Sequence, residues 1–271
     1  MPELPEVETT RRGLAPHICG ATVTNVVVRN RAMREPVTRN IANLITGRRI
    51  DALERRAKYL LFRAGDGTLL VHLGMSGRLW VVDANTPPQT HDHFDLALSN
   101  GRIVRLRDPR RFGLVLWHRG DPLGHKLLRD IGPEPLSDAL TADWLYRETR
   151  TRSGAIKNAL MDSHLVAGVG NIYANEALFR AGINPRLPAC RIGLARYAVL
   201  TEKIREVLAE AIEAGGSSLR DYVNSQGEAG FFQDRFFVYG RAGESCINCQ
   251  TKIRGMVLGQ RATFYCPRCQ R

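Results

Sequence analysis

Between Ala21 and about Trp117, apolar residues alternate with polar ones or gather in short β-branched runs, which is the pattern of β-strands. The pattern is clearest in ATVTNVVVRN, KYLLFRAGDGTLLVHL and FDLALSNGRIVRL. Gly-Asp-Gly and Ser-Asn-Gly interrupt the last two segments, and such triplets close hairpins. Several short strands at this spacing predict a β-sandwich or a barrel.

The chain begins with a helical pattern instead. Leu4, Val7 and Leu14 recur at helical intervals, and Gly13 is a candidate for the end of the helix. We therefore predict a short amphipathic helix over residues 2–12.

A Pro-rich break, GPEPLSD at 132–138, is followed by a change to helical periodicity. The clearest helix, LARYAVLTEKIREVLAEAIEAGG, starts at Leu194 and is predicted to end at Gly215 and Gly216. A second helical block covers about 154–181. The glycines of its GVGN motif are expected to divide this block into two helices joined by a tight turn.

The cysteines are distributed unevenly. Four of the six lie in the last 26 residues, as two Cys-x2-Cys pairs separated by sixteen residues: Cys246, Cys249, Cys266 and Cys269. Each such turn can aim two thiolates at one tetrahedral zinc ion, so the spacing predicts a zinc site. Two disulfides are the weaker alternative, because a reducing compartment disfavours them. Cys19 and Cys190 are interpreted as small buried hydrophobes.

Together these patterns predict an α+β multidomain protein. We place the N-terminal helix and β domain at 1–131 and a helical domain at 132–216. A region rich in Gly, Ser, Gln and Asp, 217–240, is predicted to be a mobile loop and linker, and 241–271 a zinc hairpin with four cysteine ligands.

The chain is strongly basic: 39 Lys and Arg against 27 Asp and Glu give a formal charge of +12. Such a field attracts polyanions, which makes nucleic acid the leading partner and an acidic membrane surface the weaker one. No run approaches the ~18 apolar residues of a spanning helix, and the N-terminus has acids where a secretory signal has bases. We expect a cytoplasmic protein that does not enter the membrane.

The N-terminus also offers unusual chemistry. Removal of the initiator methionine makes Pro2 an α-amine, which titrates near ~8 rather than near the ~10.4 of lysine and is therefore more nucleophilic at neutral pH. A secondary amine that attacks an aldehyde-level carbon forms a cationic iminium, and Glu3 and Glu6 could move protons beside it. The alternative is that Pro2 and Pro5 merely begin a helix whose dipole the acids complement.

Two further segments could bind a nucleic acid. GVGN at 168–171 lacks the context of a nucleotide-binding loop, but its amides and Asn171 could bind a DNA phosphate at a helix start. RDPRRFG at 107–113 combines arginines with an aromatic residue that could enter a gap in stacked bases. The alternative for this segment is a solvated loop whose Phe112 returns to the core, and Met75 alone would be a core methionine.

Seven segments resemble, in order, those of bacterial formamidopyrimidine-DNA glycosylases: PELPEVE, RRAKYLL, HLGMSG, HDHFD, DPRRFG, GVGNIYANEALF and QRATFYCPRCQ. The resemblance extends from residue 2 to residue 271. It implies a β-sandwich domain, a helix-two-turn-helix domain and a zinc hairpin. It also implies a monomeric base excision repair enzyme that removes oxidised purines (8-oxoguanine, formamidopyrimidines) from damaged double-stranded DNA and cleaves the strand by β,δ-elimination.

The resemblance also implies catalytic roles. Pro2 is expected to attack C1′ of the damaged nucleotide and form a Schiff base. Glu3 is expected to donate a proton to the opening sugar, with Glu6 in support. Lys58 resembles the cation assigned to β-elimination, and Arg261 the residue tied to δ-elimination and phosphate binding.

A wedge of Met75, Arg110 and Phe112 is expected, by the same resemblance, to fill the space left when the lesion is flipped out. The expected DNA contacts are His91, Arg110, Arg152, Lys157 and Asn171. The zinc is expected to be structural, since four cysteines leave no open position for substrate. Neither a redox cofactor nor a catalytic metal is expected.

One position departs from the family pattern: Phe231 stands where tyrosine is common, in a loop at 224–237 that shapes the lesion pocket. The preference among oxidised purines therefore stays open. Two alternative functions also stay open. An endonuclease VIII-type glycosylase for oxidised pyrimidines usually has PEGPE instead of PELPE and lacks the wedge. A non-catalytic DNA-binding paralogue is disfavoured by the intact catalytic residues.

Overall fold

The computed structural model describes residues 2–217 and 230–271. The chain divides into two compact units, which are Met1–Arg129 with Ala214–Phe231 and Asp130–Glu213 with Phe232–Arg271. Residues 218–229, which are half of the loop predicted at 217–240 to be mobile, lie outside the described residues. Within the described ranges, none of the helices is long and apolar enough to cross a membrane.

Two antiparallel four-stranded sheets form the body of the first unit. Their strands are β1 (Val23–Val28), β2 (Ala52–Arg56), β3 (Tyr59–Ala64), β4 (Gly67–His72), β5 (Arg78–Asp83), β6 (Asp92–Leu98), β7 (Arg102–Arg107) and β8 (Leu114–Arg119). One sheet has the order β1-β6-β7-β5 and the other β2-β3-β4-β8. Side chains of both sheets, such as Leu96 and Val104 of one and Leu60 and Phe62 of the other, share one buried core. The prediction of a sandwich is confirmed.

Local turn chemistry accounts for two of the hairpins. The β3–β4 hairpin closes at Gly65, which has φ 62°, and the β6–β7 hairpin closes at Gly101, with φ 77°. Glycine adopts this left-handed conformation at little cost, so the Gly-Asp-Gly and Ser-Asn-Gly triplets mark the turns correctly.

The first helix is longer than the sequence indicated. Helix α1 spans Leu4–Ile18, so the predicted range 2–12 and the predicted stop at Gly13 are wrong. A glycine inside a helix costs about 1 kcal/mol, whereas burying a large aliphatic side chain contributes about 1.5–3 kcal/mol. Leu14 and Ile18 are both fully buried, and their burial carries the helix past Gly13. It ends before Gly20, whose φ is 87°.

Among the described residues, the first unit has one further short helix, α2 (Ile41–Ile45), and the second unit has four: α3 (Ala142–Thr149), α4 (Ile156–Leu160), α5 (Asn171–Arg180) and α6 (Leu194–Glu213). Helix α6 starts at the predicted residue and is followed by Gly215, with φ 76°. The block predicted at 154–181 is indeed split, because GVGN precedes α5. Strands β9 (Arg254–Leu258) and β10 (Arg261–Tyr265) form an antiparallel hairpin near the C-terminus.

Candidate active site and zinc site

The start of α1 is buried and held by one carboxylate. Glu6 accepts a hydrogen bond from the backbone N–H of Glu3 at 2.8 Å through one oxygen. Its other oxygen accepts from the backbone N–H and the hydroxyl of Ser217, at 2.8 and 3.0 Å. Pro2, Glu3 and Glu6 are all buried. Glu6 thus ties the residues ahead of the helix to the chain that follows α6.

Lys58 lies in the tight turn between β2 and β3. Arg56 and Tyr59 are paired across this hairpin, which leaves only Ala57 and Lys58 in the turn. Ala57 has φ 51°, a left-handed conformation that is strained for any residue with a Cβ. The half-buried Lys58 is therefore carried by a tight two-residue turn in the same unit as α1.

His72, at the end of β4, lies beside this turn. Its ring centroid is 4.8 Å from that of Tyr59, and its Nδ1 accepts from the backbone N–H of Gly74 at 2.9 Å. Burial, together with the charges of Arg34 and Lys58, lowers the pKa of His72 to about 4. The ring is thus neutral at physiological pH and carries its proton on Nε2. The sequence did not single out His72, although it opens the HLGMSG segment.

The three candidate wedge residues lie on two loops of the first unit. Phe112 is 43% exposed, so it does not return to the core. The Arg110 guanidinium lies 4.8 Å from the centroid of the Phe112 ring. Met75 is half-buried.

A buried carboxylate joins these two loops. Asp108 accepts from the Ser76 hydroxyl at 2.8 Å, and the same hydroxyl oxygen accepts from the backbone N–H of Arg110 at 3.3 Å. Gly74 allows the close approach, because a Cβ there would lie 2.4 Å from the carbonyl carbon of Phe112. The loops are therefore locked to one another. Neither Ser76 nor Asp108 was selected from the sequence.

Two of the predicted DNA contacts hold the C-terminal hairpin. Lys157 is fully buried, and its Nζ donates to the Ala262 carbonyl at 3.0 Å and to the Thr263 hydroxyl at 2.7 Å. The Asn171 amide also donates to the Ala262 carbonyl, at 3.0 Å. Arg261, the first residue of β10, is exposed. The helices of the second unit thus support the strand that presents Arg261.

The remaining predicted contacts are distributed over both units. His91 is exposed, with φ 72°, and its carbonyl accepts from the backbone N–H of Asp108 at 3.0 Å. Arg152 is half-buried and paired with Asp162 at 2.7 Å. Phe231 is largely exposed, and residues 224–229 of the loop at 224–237 lie outside the described residues.

Glu176 is a buried acid of α5 that was not selected from the sequence. Its carboxylate accepts three backbone N–H groups, from Phe237, Val238 and Tyr239, at 2.8–3.0 Å. Burial raises the pKa of Glu176, and the three hydrogen bonds oppose that shift. The only signal in the sequence was an acid within the apolar segment NEALF. Glu176 fixes the chain entering the C-terminal hairpin to α5.

The four C-terminal cysteines come together as a tetrahedral set. Their sulfur atoms all lie within 4.8 Å of one another, with Cys246–Cys269 at 3.9 Å and Cys249–Cys266 at 3.5 Å. Zn–S bonds of about 2.3 Å in a tetrahedron place sulfurs about 3.8 Å apart. All four thiols are free, and the arrangement fits zinc and not two disulfides.

The sequence matches the family model described as the formamidopyrimidine-DNA glycosylase N-terminal domain over residues 1–115, and that family's H2TH domain over 131–223. The chain belongs to the formamidopyrimidine-DNA glycosylase family. Residues 243–271 match the zinc finger found in FPG and IleRS. With the geometry of the four cysteines, this match identifies a structural zinc ion as the metal of the chain.

Similar proteins span the full length of the chain. A formamidopyrimidine-DNA glycosylase of Stutzerimonas stutzeri (strain A1501) is 55% identical over 271 residues, with 100% of both chains covered. The crystal structure of the MutM (Fpg) protein from Thermus thermophilus has a TM-score of 0.89 and 42% identity, and covers 99% of this chain and 98% of that one. The Lactococcus lactis Fpg in a complex with abasic-site DNA has a TM-score of 0.92 and 34% identity, with 100% of both chains covered.

These findings confirm the family and the fold class predicted from the sequence. They also confirm that the chain is an enzyme, a DNA glycosylase of base excision repair.

Proposed function

We propose that this enzyme excises oxidised purines, such as 8-oxoguanine and formamidopyrimidines, from duplex DNA through the amine of Pro2, and then cleaves the strand by β,δ-elimination. The observation that carries the proposal is the buried cluster of Pro2, Glu3 and Glu6 at the start of α1. The net charge of +12 suits a DNA partner, and a related Lactococcus lactis Fpg is known in a complex with Fapy-dG DNA. We further propose that the enzyme acts as a cytoplasmic monomer.

The first chemical step uses Pro2 after removal of Met1. The proline nitrogen attacks C1′ of the damaged nucleotide, a nitrogen–carbon bond forms, and the glycosidic bond breaks with its electron pair leaving on the base. The proton lost from the proline nitrogen goes to the departing base. Glu3 then protonates the ring oxygen O4′ as the C1′–O4′ bond opens, which leaves a cationic iminium. Glu6, through its hydrogen bonds to Glu3 and Ser217, keeps the nucleophile and the acid in place.

The elimination steps follow from the iminium. It acidifies the C2′ protons, so loss of one of them expels the 3′ phosphate, and a second elimination expels the 5′ phosphate. We assign Lys58 to the phosphate that leaves first and Arg261 to the second elimination and phosphate binding. The tight turn that carries Lys58 and the support of the Arg261 hairpin by Lys157 favour these roles.

We also propose that Met75, Arg110 and Phe112 form the wedge that replaces the flipped-out lesion. The exposure of Phe112 and the Arg110 guanidinium over its ring support this role. His91, Arg152 and Asn171 are proposed to contact the DNA. Because Lys157 is fully buried, its contribution to DNA binding is proposed to act through the β10 strand.

Ser76→Ala tests the wedge. The change leaves a buried Asp108 oxygen without its hydroxyl donor, which costs about 1–3 kcal/mol, and it removes the acceptor of the exposed Arg110 N–H. We expect the affinity for a lesion duplex to decrease about fivefold to tenfold, with the rate at saturating DNA nearly unchanged. Titration by fluorescence anisotropy measures the first quantity, and single-turnover excision the second. Ser99→Ala, in the β6–β7 turn, is the matched control, and equal affinity of both variants would contradict the role of Ser76.

Substrate choice is tested by two duplexes of the same sequence. One carries 8-oxoguanine opposite cytosine and the other thymine glycol opposite adenine. The proposal predicts faster single-turnover excision of 8-oxoguanine. Faster excision of thymine glycol would favour the endonuclease VIII type, and binding without excision of either would favour the non-catalytic alternative.

A further inference from the structure

A buried ion pair joins α1 to the turn that carries Lys58. Glu8 of α1 is 8% exposed, and one of its carboxylate oxygens accepts from Nε of Arg55 at 3.1 Å. Arg55 reaches onward, because its Nη1 donates to the backbone carbonyl of Ala57 at 3.0 Å. Helix and turn are thus linked by two consecutive hydrogen bonds within one unit of the chain.

Glu8 is well suited to act as a fixed anchor. Its carboxylate also accepts from Nε and Nη2 of Arg11, at 3.0 and 2.8 Å, and from Nε of Arg12 at 3.0 Å. Burial raises the pKa of Glu8, but the hydrogen bonds from Arg11 and Arg12 and the charge of Arg55 outweigh it and lower the pKa. The carboxylate is therefore ionised at neutral pH, and charge-assisted bonds of this kind are stronger than neutral ones.

The turn itself needs an external constraint. It has only two residues, and Ala57 is held with φ 51°, which costs an L-residue with a Cβ about 1–2 kcal/mol. The Arg55 bond to the Ala57 carbonyl fixes the peptide that leads directly into Lys58. By contrast, the amine end of α1 is held separately, by the Glu6 bonds to Glu3 and Ser217.

We propose that Glu8 and Arg55 are positioning residues, which set the Lys58 ammonium relative to the Pro2 end of α1. The proposal rests on the function assigned above to Pro2 and Lys58. Both are proposed to act through the turn and not by contact with the substrate. Loss of the pair displaces Lys58 while the separately held nucleophile stays in place, so the defect falls on the step that depends on Lys58.

A double-mutant cycle between Arg55 and Lys58 tests this inference. Single-turnover assays on an 8-oxoguanine duplex follow base release, the borohydride-trapped adduct and strand cleavage for the wild type, Arg55→Met, Lys58→Met and the double variant. We expect Arg55→Met to slow the same step as Lys58→Met, about tenfold, and to add nothing in the Lys58→Met background. The proposal would be overturned if the rate effects of the two single variants multiplied in the double variant. It would also be overturned if Arg55→Met slowed a different step from Lys58→Met.

Two further variants separate positioning from loss of the fold. Arg12→Met also removes a hydrogen bond to Glu8, but its side chain is 58% exposed and has no bond to the turn among the described contacts, so it should behave as the wild type. Glu8→Gln keeps an acceptor oxygen for Arg55 and should retain most of the activity, whereas Glu8→Met should resemble Arg55→Met. Circular dichroism melts verify that each variant is folded, and Glu8→Met replaces Arg55→Met in the cycle if the latter is not.

The outcomes also distinguish this inference from the proposed function. If the wild type forms no trapped adduct, the proposed function fails. If the wild type is trapped but Arg55→Met matches Arg12→Met, only the positioning role fails.

Discussion

Pro2→Gly is expected to slow single-turnover excision of 8-oxoguanine by roughly 10²–10⁴-fold, which is the usual decrease in rate when a catalytic nucleophile or acid–base group is removed. The variant keeps a primary amine, so it can still form an imine slowly, but it loses the rigid secondary amine that must give a cationic iminium. Glu3 and Glu6 keep their bonds, and the DNA-binding residues are untouched. Lesion binding, measured by anisotropy, is therefore expected to change less than about threefold.

The matched control for this variant is Pro5→Ala. Pro5 lies in the first turn of the same helix but does not supply the amine, so its replacement should leave the excision rate within about threefold of the wild type. Equal excision rates for Pro2→Gly and the wild type would remove Pro2 from the role of nucleophile.

Cys249→Ser is expected to abolish zinc binding and to weaken DNA binding more than about tenfold. Zinc contributes about 10–16 kcal/mol of apparent binding free energy in small zinc fingers, which is far more than the fold of such a hairpin supplies alone. Here the zinc cysteines Cys246 and Cys266 lie in a small core with Phe179, Val238 and Ile253. Loss of the metal therefore disorders the hairpin that presents Arg261.

Two measurements test this prediction. Metal content by atomic absorption should fall from one zinc ion per chain to near zero, and anisotropy should show the loss of affinity. Cys19 is exposed, so the interpretation of it as a buried hydrophobe is wrong, and Cys19→Ser, outside the site, should change neither quantity. Normal zinc content together with normal DNA binding in Cys249→Ser would contradict the account.

The parts of the fold that the sequence predicted are those with local causes. Helix α6 has a continuous apolar stripe and a terminal glycine pair, and the β3–β4 and β6–β7 hairpins have glycines at their turns. The four zinc cysteines are identified by their spacing alone. Gly13 misled the prediction because a local propensity of about 1 kcal/mol is outweighed by the burial of Leu14 and Ile18, which only the tertiary structure supplies.

The residues that the sequence missed have partners far along the chain. Ser76 and Asp108 are separated by 32 positions, and Glu176 and its backbone donors by 61–63. The partner of Lys157 is also far along the chain. The family resemblance implied that Lys157 contacts DNA, and in the structure its buried ammonium donates to the Thr263 hydroxyl, which is 106 positions away. Such pairings depend on the packing of whole elements, which periodicity and motifs do not specify.

The central claim is tested most directly by borohydride trapping of the untagged protein on a duplex with 8-oxoguanine opposite cytosine, followed by mass analysis of the cross-linked peptide. The account predicts an adduct on a peptide that begins at Pro2, which would establish the removal of Met1, the nucleophile and the lesion class together. An adduct on another residue, or no adduct from a protein that lacks Met1 and binds the duplex, would contradict it.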